Sequence, residues 1–273
     1  MWTINDTSGR PPRCERMTGL SPDQVTALIT AVSTLLGDPW QPRTGRRKSL
    51  DLSRAVVLTL FLLRHDNVQD VAGELFGCSQ ATVSRTSRRI RPLRQQATAA
   101  IALRVAARAR YGAVLLDGLI APTGERRDRS DLFSGKHRVC GMNVQVIADL
   151  DGRVIDTGTP IGGSRHDSVA FTASGLAERW ATHLADDGPG MLADKGYQGC
   201  GPATPYRKPP GRPLTEVRKA CNHALNSLRA AVERAISHLV NWKILDIGYR
   251  GRLTEFPDLL HTVTNLEIYR VWG

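Results

Sequence analysis

Three acidic residues, far apart along the chain, stand where chemistry can be done. Met191-Leu192-Ala193 lead into Asp194, followed at once by Lys195 and Gly196, and Ala113-Val114-Leu115-Leu116 lead in the same way into Asp117-Gly118, where the pattern continues through Leu119 and Ile120 to Ala121-Pro122. An apolar run that meets one carboxylate and then a glycine reads as a short buried strand ending at a polar rim. The charge belongs where the strand emerges, because an unpaired buried carboxylate costs on the order of several kcal/mol. Taken alone, Asp194 reads equally as a residue that only starts the turn before Gly196; the repeat of the pattern at Asp117 favours the paired reading. Two neighbouring strands would bring both carboxylates to one cation, and without that cation two close anions force one of them to take up a proton. Hard divalent ions take oxygen ligands, commonly one or two protein carboxylates plus substrate phosphates. The expected centre is a magnesium site.

The third carboxylate is Glu233, on a helix read from Asn222 to Trp242. Leu225, Leu228, Val232, Ile236 and Leu239 make a core-facing stripe at helical spacing, and Glu233 stands at its border. Its competing reading is a solvated glutamate paired with Arg229 four residues earlier.

These residues need a scaffold, and the surrounding chain supplies one. Met142–Ala148 and Val154–Gly158 read as strands joined by the turn signal Asp151-Gly152, so with the Asp117 strand they form an antiparallel meander. Gly162-Gly163-Ser164-Arg165-His166-Asp167 leads into a helix read as Ser168 to His183, and a basic insert, Arg207 to Lys219, precedes the Glu233 helix. The stretch Pro122 to Arg138 is polar and charged, with Arg126, Arg127, Arg129, Lys136 and His137.

The first third of the chain reads as all-helical. Ser21-Pro22 opens a helix that Gly37-Asp38-Pro39 stops, a basic loop spans Pro42 to Lys48, and Leu50 to Leu63 reads as a buried helix. Val68–Phe76, the turn Gly77-Cys78-Ser79 and Gln80–Ile90 make a helix-turn-helix pattern with a serine cap. In a major groove, Gln80, Thr82, Ser84 and Arg85 would face base edges or phosphates, and Arg88 and Arg89 phosphates. Val71, Leu75, Val83 and Ile90 are the expected core; the competing reading is a helical hairpin with a solvated basic face. Pro92 to Arg110 reads as a linking helix. The expected layout is a loosely ordered 1–18, a helix-turn-helix domain over 19–95, a linker over 96–110, and an α/β domain over 111–273.

Composition bounds the partners. The chain has 273 residues, 41% of them apolar, and a formal net charge of +11, which suits a polyanion, nucleic acid or an anionic membrane. No run approaches the roughly 20 apolar residues that span a bilayer, and Met1 to Arg13 lacks an apolar signal core, so neither insertion nor secretion is indicated. The five cysteines, scattered and without a Cys-x-x-Cys pair, suit a reducing cytoplasm and argue against a zinc module.

The element order, three strands, helix, strand, insert, helix, resembles a ribonuclease H-like domain. Together with its motifs, the chain resembles the DDE transposases of bacterial insertion sequences, in the group named for insertion sequence five and related to Harbinger elements. The residues that carry the resemblance are Leu75–Arg85, Leu115-Leu116-Asp117-Gly118, Phe133-Ser134-Gly135-Lys136-His137, Asn143–Ala148, Gly163-Ser164-Arg165-His166-Asp167, Leu192–Gly199, Val232-Glu233-Arg234 and Asn241-Trp242-Lys243-Ile244-Leu245. It implies a catalytic, metal-holding triad of Asp117, Asp194 and Glu233. Asp167 competes for the second place; Asp194 is preferred because it ends a strand, whereas Asp167 begins a helix and can cap it. The resemblance further implies two Mg2+ ions, with Mn2+ able to substitute, and double-stranded DNA as partner, both terminal inverted repeats and target. It implies 3′-end cleavage followed by strand transfer, a homodimer or larger assembly, and a cytoplasmic, nucleoid-associated location. Lys136, Arg165 and Lys195 become candidates for holding DNA phosphates. Val240 departs from the family, whose members often carry lysine there; if that lysine contacts DNA, the resemblance implies weaker substrate binding by this chain. Two other readings compete: a helix-turn-helix regulator with an inactive, domesticated nuclease domain, and a nuclease that cuts without joining.

Overall fold

The computed structural model describes residues 14–45 and 47–273. The chain divides into two units, one holding the residues up to Thr98 with Trp242–Ile244 and Gly273, the other Ala99–Asn241 with Leu245–Trp272.

The first unit is helical. Residues 1–13 of the expected loose N-terminus lie outside the described residues, while the last five of that stretch form a short helix, α1 (Cys14–Thr18), which the Thr18 hydroxyl braces by donating to the Cys14 carbonyl at 2.7 Å. α2 (Pro22–Leu36) starts in a reciprocal cap: Ser21 Oγ accepts from the Gln24 amide at 3.2 Å, and Gln24 Oε1 accepts from the Ser21 amide at 3.1 Å. α3 (Leu52–His65) is buried continuously from Ala55 to Leu63 and forms the centre of this unit. α4 (Gln69–Phe76) and α5 (Gln80–Ala109) follow.

The turn between α4 and α5 decides which face of α4 goes inward. Gly77 takes a left-handed conformation, and the Cys78 amide donates to the Gly73 carbonyl at 2.9 Å. A Cβ on Gly73 would stand 2.5 Å from the Cys78 carbonyl oxygen, so this close return needs glycine. Ala72, Gly73 and Phe76 therefore face inward, and the expected core positions Val71 and Leu75 are exposed, at 48% and 63%. The helix is rotated by about one residue from the expected phase, because the small residues needed for close approach outrank the larger apolar ones. Val83 and Ile90 are fully buried as expected. Nor does the second helix stop at Ile90: α5 continues through Pro92, whose ring sits on an exposed position, into the stretch read as a separate linker.

The second unit is built on a mixed sheet. In chain order come β1 (Val114–Pro122), β2 (Phe133–Ser134), β3 (Val139–Ala148), β4 (Val154–Thr157), β5 (Ile161–Gly162), α6 (Asp167–Ala173), the one-turn helices α7 (Leu176–Arg179) and α8 (Ala181–Leu184), β6 (Met191–Leu192), α9 (Glu216–Val240) and α10 (Phe256–Trp272). β1 and β3 pair antiparallel from Leu115↔Ala148 to Pro122↔Gly141, β4 pairs antiparallel with β3, and β6 lies parallel to β1 through Val114↔Met191 and Leu115↔Leu192. The meander and the adjacency of the two aspartate-bearing strands are thus as expected. β3 is buried at every residue from Gly141 to Ala148, so the sheet is covered on both faces there.

Four placements differ from the sequence reading. Asp117 stands inside β1 and not at its end: the strand follows the pattern that continues through Leu119 and Ile120 and closes at Pro122, held by the buried Leu119 and Ala121. β6 has only two residues, and Asp194 caps a 3-10 turn, Lys195–Tyr197, beyond it. The helix read as Ser168–His183 is broken into α6 and α7 at Gly175, which has φ +78°, and into α7 and α8 at Trp180. α9 begins at Glu216, where Thr215 Oγ1 accepts from the Arg218 amide, and its inward residues are Ala231, Val232, Ala235 and Leu239, with Leu228 left 45% exposed.

The α4 turn can be checked directly. Gly73→Ala should destabilise the first unit by about 1–3 kcal/mol through the forced contact with Cys78, whereas Leu75→Ala should stay within about 0.5 kcal/mol. Native-state hydrogen exchange of the α4 amides reads both, and a larger loss at Leu75 than at Gly73 would refute the observed helix phase.

Candidate active site

Asp117 sits in the middle of β1, half-buried, and its Oδ1 accepts from the amide of the next residue, Gly118, at 2.8 Å. Asp194 reaches the same region from the turn after β6, where its Oδ1 accepts from the Gly196 amide at 2.6 Å. The third carboxylate there is that of Asp167. It is the first residue of α6, after the N-cap His166, and turns its side chain away from the helix amides: Oδ1 accepts from Asn143 Nδ2 at 3.1 Å and Oδ2 lies 3.6 Å from Lys136 Nζ.

The glycines before Asp167 explain how this loop is held. A Cβ on Gly162 would fall 2.5 Å from the Asp131 carbonyl oxygen, and one on Gly163 would fall 2.6 Å from that of Gly141 and 2.7 Å from that of Leu132. The loop lies flat against the chain entering β2 and β3, with the Gly163 amide donating to the Gly141 carbonyl at 2.9 Å and the Ser164 amide to that of Asp131 at 3.0 Å.

Electrostatics identify the group. Burial pushes the Asp117 carboxyl above its usual range; the Gly118 amide and the Arg229 guanidinium pull it down, and Asp194 and Asp167 push it up again. Burial also pushes the Tyr197 phenol well above its usual value, and Asp167, Asp117 and Asp194 add to the shift. Three aspartates therefore act on the same phenol, and two of them on Asp117.

The sequence candidates distribute as follows. Asp117, Asp194 and Asp167 come together, and Lys136, Arg165 and Lys195 are exposed on the segments that carry them. Glu233 lies on an exposed position of α9, one residue past the buried Val232. The α9 residue whose charge bears on Asp117 is Arg229, one turn earlier. Sequence reasoning treated Arg229 only as a partner for Glu233. Among the described residues no ion pair joins the two, and the buried Nε of Arg229 has no hydrogen-bond partner. Its i−4 spacing from Glu233 was the available signal that both share one helix face.

In the first unit, Gln80, Arg85, Arg88 and Arg89 are exposed and Thr82 and Ser84 half-buried. Gln80 Nε2 donates to Gln69 Oε1 at 2.8 Å, and the Arg89 guanidinium lies 4.8 Å from the Trp40 ring centre.

Oxygen donors of this kind and charge suit a hard divalent ion. Among the described residues, no three Asp, Glu, His or Cys side chains are gathered closely enough to hold one as they stand. As they stand, the Gly196 amide engages Asp194 Oδ1 and Lys136 faces Asp167 Oδ2. Closing the set takes side-chain rotation and displacement of Lys136, and the donor chemistry fits. A cavity of about 720 Å³ in the second unit lies elsewhere, between the last turns of α5, the edge strand β4 and α10, and none of the three aspartates lines it.

Carboxylates converging on a mixed sheet, with exposed cations on their flanks, are the equipment of an enzyme that cleaves phosphodiesters. Residues 116–266, just over half of the chain, match the DDE superfamily endonucleases, and the chain belongs to that family. Asp117, Asp167, Asp194 and Glu233 all fall within the matched span. Nucleases of this family use divalent metal ions. The chain is also 26% identical over 268 residues to a protein of Microchaete diplosiphon named "Probable transposase for insertion sequence element IS702", covering 93% of this chain and 94% of the relative. No solved structure matches. Among the described residues, no helix is long and apolar enough to cross a membrane.

Removing one charge from the cluster tests its electrostatics. Asp117→Asn keeps an acceptor for the Gly118 amide and removes the repulsion, so the metal-free protein should melt about 2–4 °C higher, the shift that ~1 kcal/mol produces at this size. A lower melting temperature in a calorimetric scan would mean that the Asp117 charge is compensated in the fold.

Proposed function

We propose that this chain is the transposase of a bacterial insertion sequence, which binds the terminal inverted repeats of its element, nicks their 3′ ends and joins them to target DNA. One observation carries the proposal: Asp117 on β1 and Asp194 beyond the parallel β6 act on each other across adjacent elements of one sheet. Three antiparallel strands, a fourth strand parallel to the first and a long helix packed on β1 and β3 support a ribonuclease H-like reading of the second unit. The tight Gly77 turn, the Ser79 cap and the exposed Gln80, Arg85 and Arg88 support a helix-turn-helix reading of α4 and α5.

In this reading Asp117, Asp194 and Glu233 hold two Mg2+ ions, for which Mn2+ substitutes, and Asp167 stands by as the further carboxylate. When bound, the ions supply a water of lowered pKa and stabilise the leaving 3′ oxygen. The protein's own groups position the DNA. Lys136, Arg165 and Lys195 neutralise phosphates on either side of the scissile bond, and Arg229 offsets part of the negative charge around Asp117. The freed 3′-OH then takes the place of the water, so that one site serves both transfers. Pairing two element ends calls for a dimer or larger assembly. With membership of an endonuclease family established, the regulator reading is not favoured.

The test is purified protein with Mg2+ or Mn2+ on DNA carrying the flanking inverted repeats. Nicking and joined product are expected; nicking alone would reduce the chain to a nuclease, and no nicking would reject the enzymatic assignment. Asp194→Asn should lower cleavage by about 10²- to 10³-fold while end binding is retained, and persistent cleavage would move the second place to Asp167. Arg85→Ala should weaken end binding by about 1–3 kcal/mol in a salt-dependent titration, and unaltered binding would argue against α5 as the reading helix.

A further inference from the structure

The three aspartates sit on segments with no covalent reason to stay in register, namely a strand, a loop entering a helix, and a turn. One string of hydrogen bonds runs from the turn that Asp194 caps, across β3, to Asp167. The Tyr197 hydroxyl donates to Gln145 Oε1 at 2.7 Å, Gln145 Nε2 donates to Asn143 Oδ1 at 2.8 Å, and Asn143 Nδ2 donates to Asp167 Oδ1 at 3.1 Å.

The direction of the string is determined by its end. Asn143 Nδ2 also donates to the Arg165 carbonyl at 3.1 Å, and a carbonyl and a carboxylate only accept, so that side of the amide is the nitrogen. Asn143 Oδ1 must then accept, which turns the Gln145 nitrogen toward it and the Gln145 oxygen toward Tyr197, and leaves the phenol as donor. Tyr197, Gln145 and Asn143 are 0%, 0% and 2% exposed. A buried polar string is stable only when every member is paired, and packing alone is better served by apolar residues. The string also depends on Gly118, the neighbour of Asp117. A Cβ there would stand 2.8 Å from Asp167 Oδ1, 2.9 Å from Gln145 Nε2 and 3.3 Å from the Tyr197 hydroxyl.

We infer that Tyr197, Gln145 and Asn143 are positioning residues, a buried relay that locks the Asp167 carboxylate beside Asp117 and Asp194 as a fixed member of the metal-holding set. Its inner oxygen is anchored by Asn143. Its outer oxygen faces Lys136, whose side chain is 71% exposed and free to leave for a DNA phosphate as an ion takes its place. The inference rests on the endonuclease reading of the same site.

Mn2+ binding to the full chain, titrated by electron paramagnetic resonance without DNA, tests it. Tyr197→Phe keeps the ring and deletes only the donor, and should weaken Mn2+ binding about 10- to 100-fold, the scale on which outer-shell partners act. Binding of inverted-repeat DNA in EDTA should be unchanged. Because the relay acts through Asp167, the losses in Tyr197→Phe and Asp167→Asn should not add in the double variant. Gln145→Met, close in shape and unable to donate or accept, replaces Tyr197→Phe if that variant does not fold. Unchanged Mn2+ affinity in the relay variants, or additive losses, would overturn the relay alone, provided Asp117→Asn weakens binding. If the unmodified chain binds no Mn2+, or Asp117→Asn leaves binding intact, the metal-site reading falls and the relay falls with it.

Discussion

Carboxylates brought together in a half-dry place repel one another, and their charged forms are disfavoured by burial as well. Asp117 meets both conditions, and the opposing influences are one amide and one guanidinium. An arrangement of that kind lowers the stability of the fold, and it persists because the surrounding segments are over-determined. β1 is paired along eight positions with β3, the loop before α6 is pressed against three backbone carbonyls, and Asp194 is fixed by the turn it caps. Repulsion between the aspartates is held in check by backbone geometry that has nothing to do with charge.

The sheet supplies that geometry through its one change of direction. Antiparallel pairing of β1, β3 and β4 places Asn143 and Gln145 on the strand next to Asp117, since Asp117 pairs with Val146 and Gly118 with Gln145. The parallel step to β6 then brings the Asp194 turn alongside β1 from a segment more than seventy residues away. A second antiparallel strand in that place would run the other way and carry Asp194 to the opposite end of the sheet. The site needs the switch in strand direction at the β1–β6 pairing, at the mouth of which the carboxylates gather.

Much of this was legible in the sequence, because an apolar run that meets an aspartate with a glycine close behind is a strong local signal and appears twice. Both strands, their adjacency and the meander between them follow from such patterns. What could not be read is what depends on phase and on contact. Leu75 and Val71 are larger and more apolar than Ala72 and Gly73, yet the chain turns the small pair inward, because the return of the backbone at Cys78 leaves no room for a side chain. The place of Asp117 inside β1 was only half legible, because Asp117 and Gly118 look like an ending although the apolar pattern continues through Leu119 and Ile120 to Pro122. Arg229 was hidden for a different reason: a helix periodicity tells which residues share a face, and not which of them, Arg229 or Glu233, has its charge felt by Asp117.

Gly118 stands where these constraints meet. Next to a carboxylate at the end of a strand, glycine reads as a turn former, but its φ is not in the left-handed range and it lies inside the strand. Its value is the absence of a side chain. Three polar atoms from three different segments, Asp167 Oδ1, Gln145 Nε2 and the Tyr197 hydroxyl, crowd the space that a Cβ would fill. A residue chosen for conformational freedom would show it in the backbone, whereas one chosen for close approach shows it in what surrounds it, and Gly118 is of the second kind. The Asp-Gly pair is therefore one structural unit, with the aspartate contributing a carboxylate and the glycine admitting the polar string that ends on Asp167.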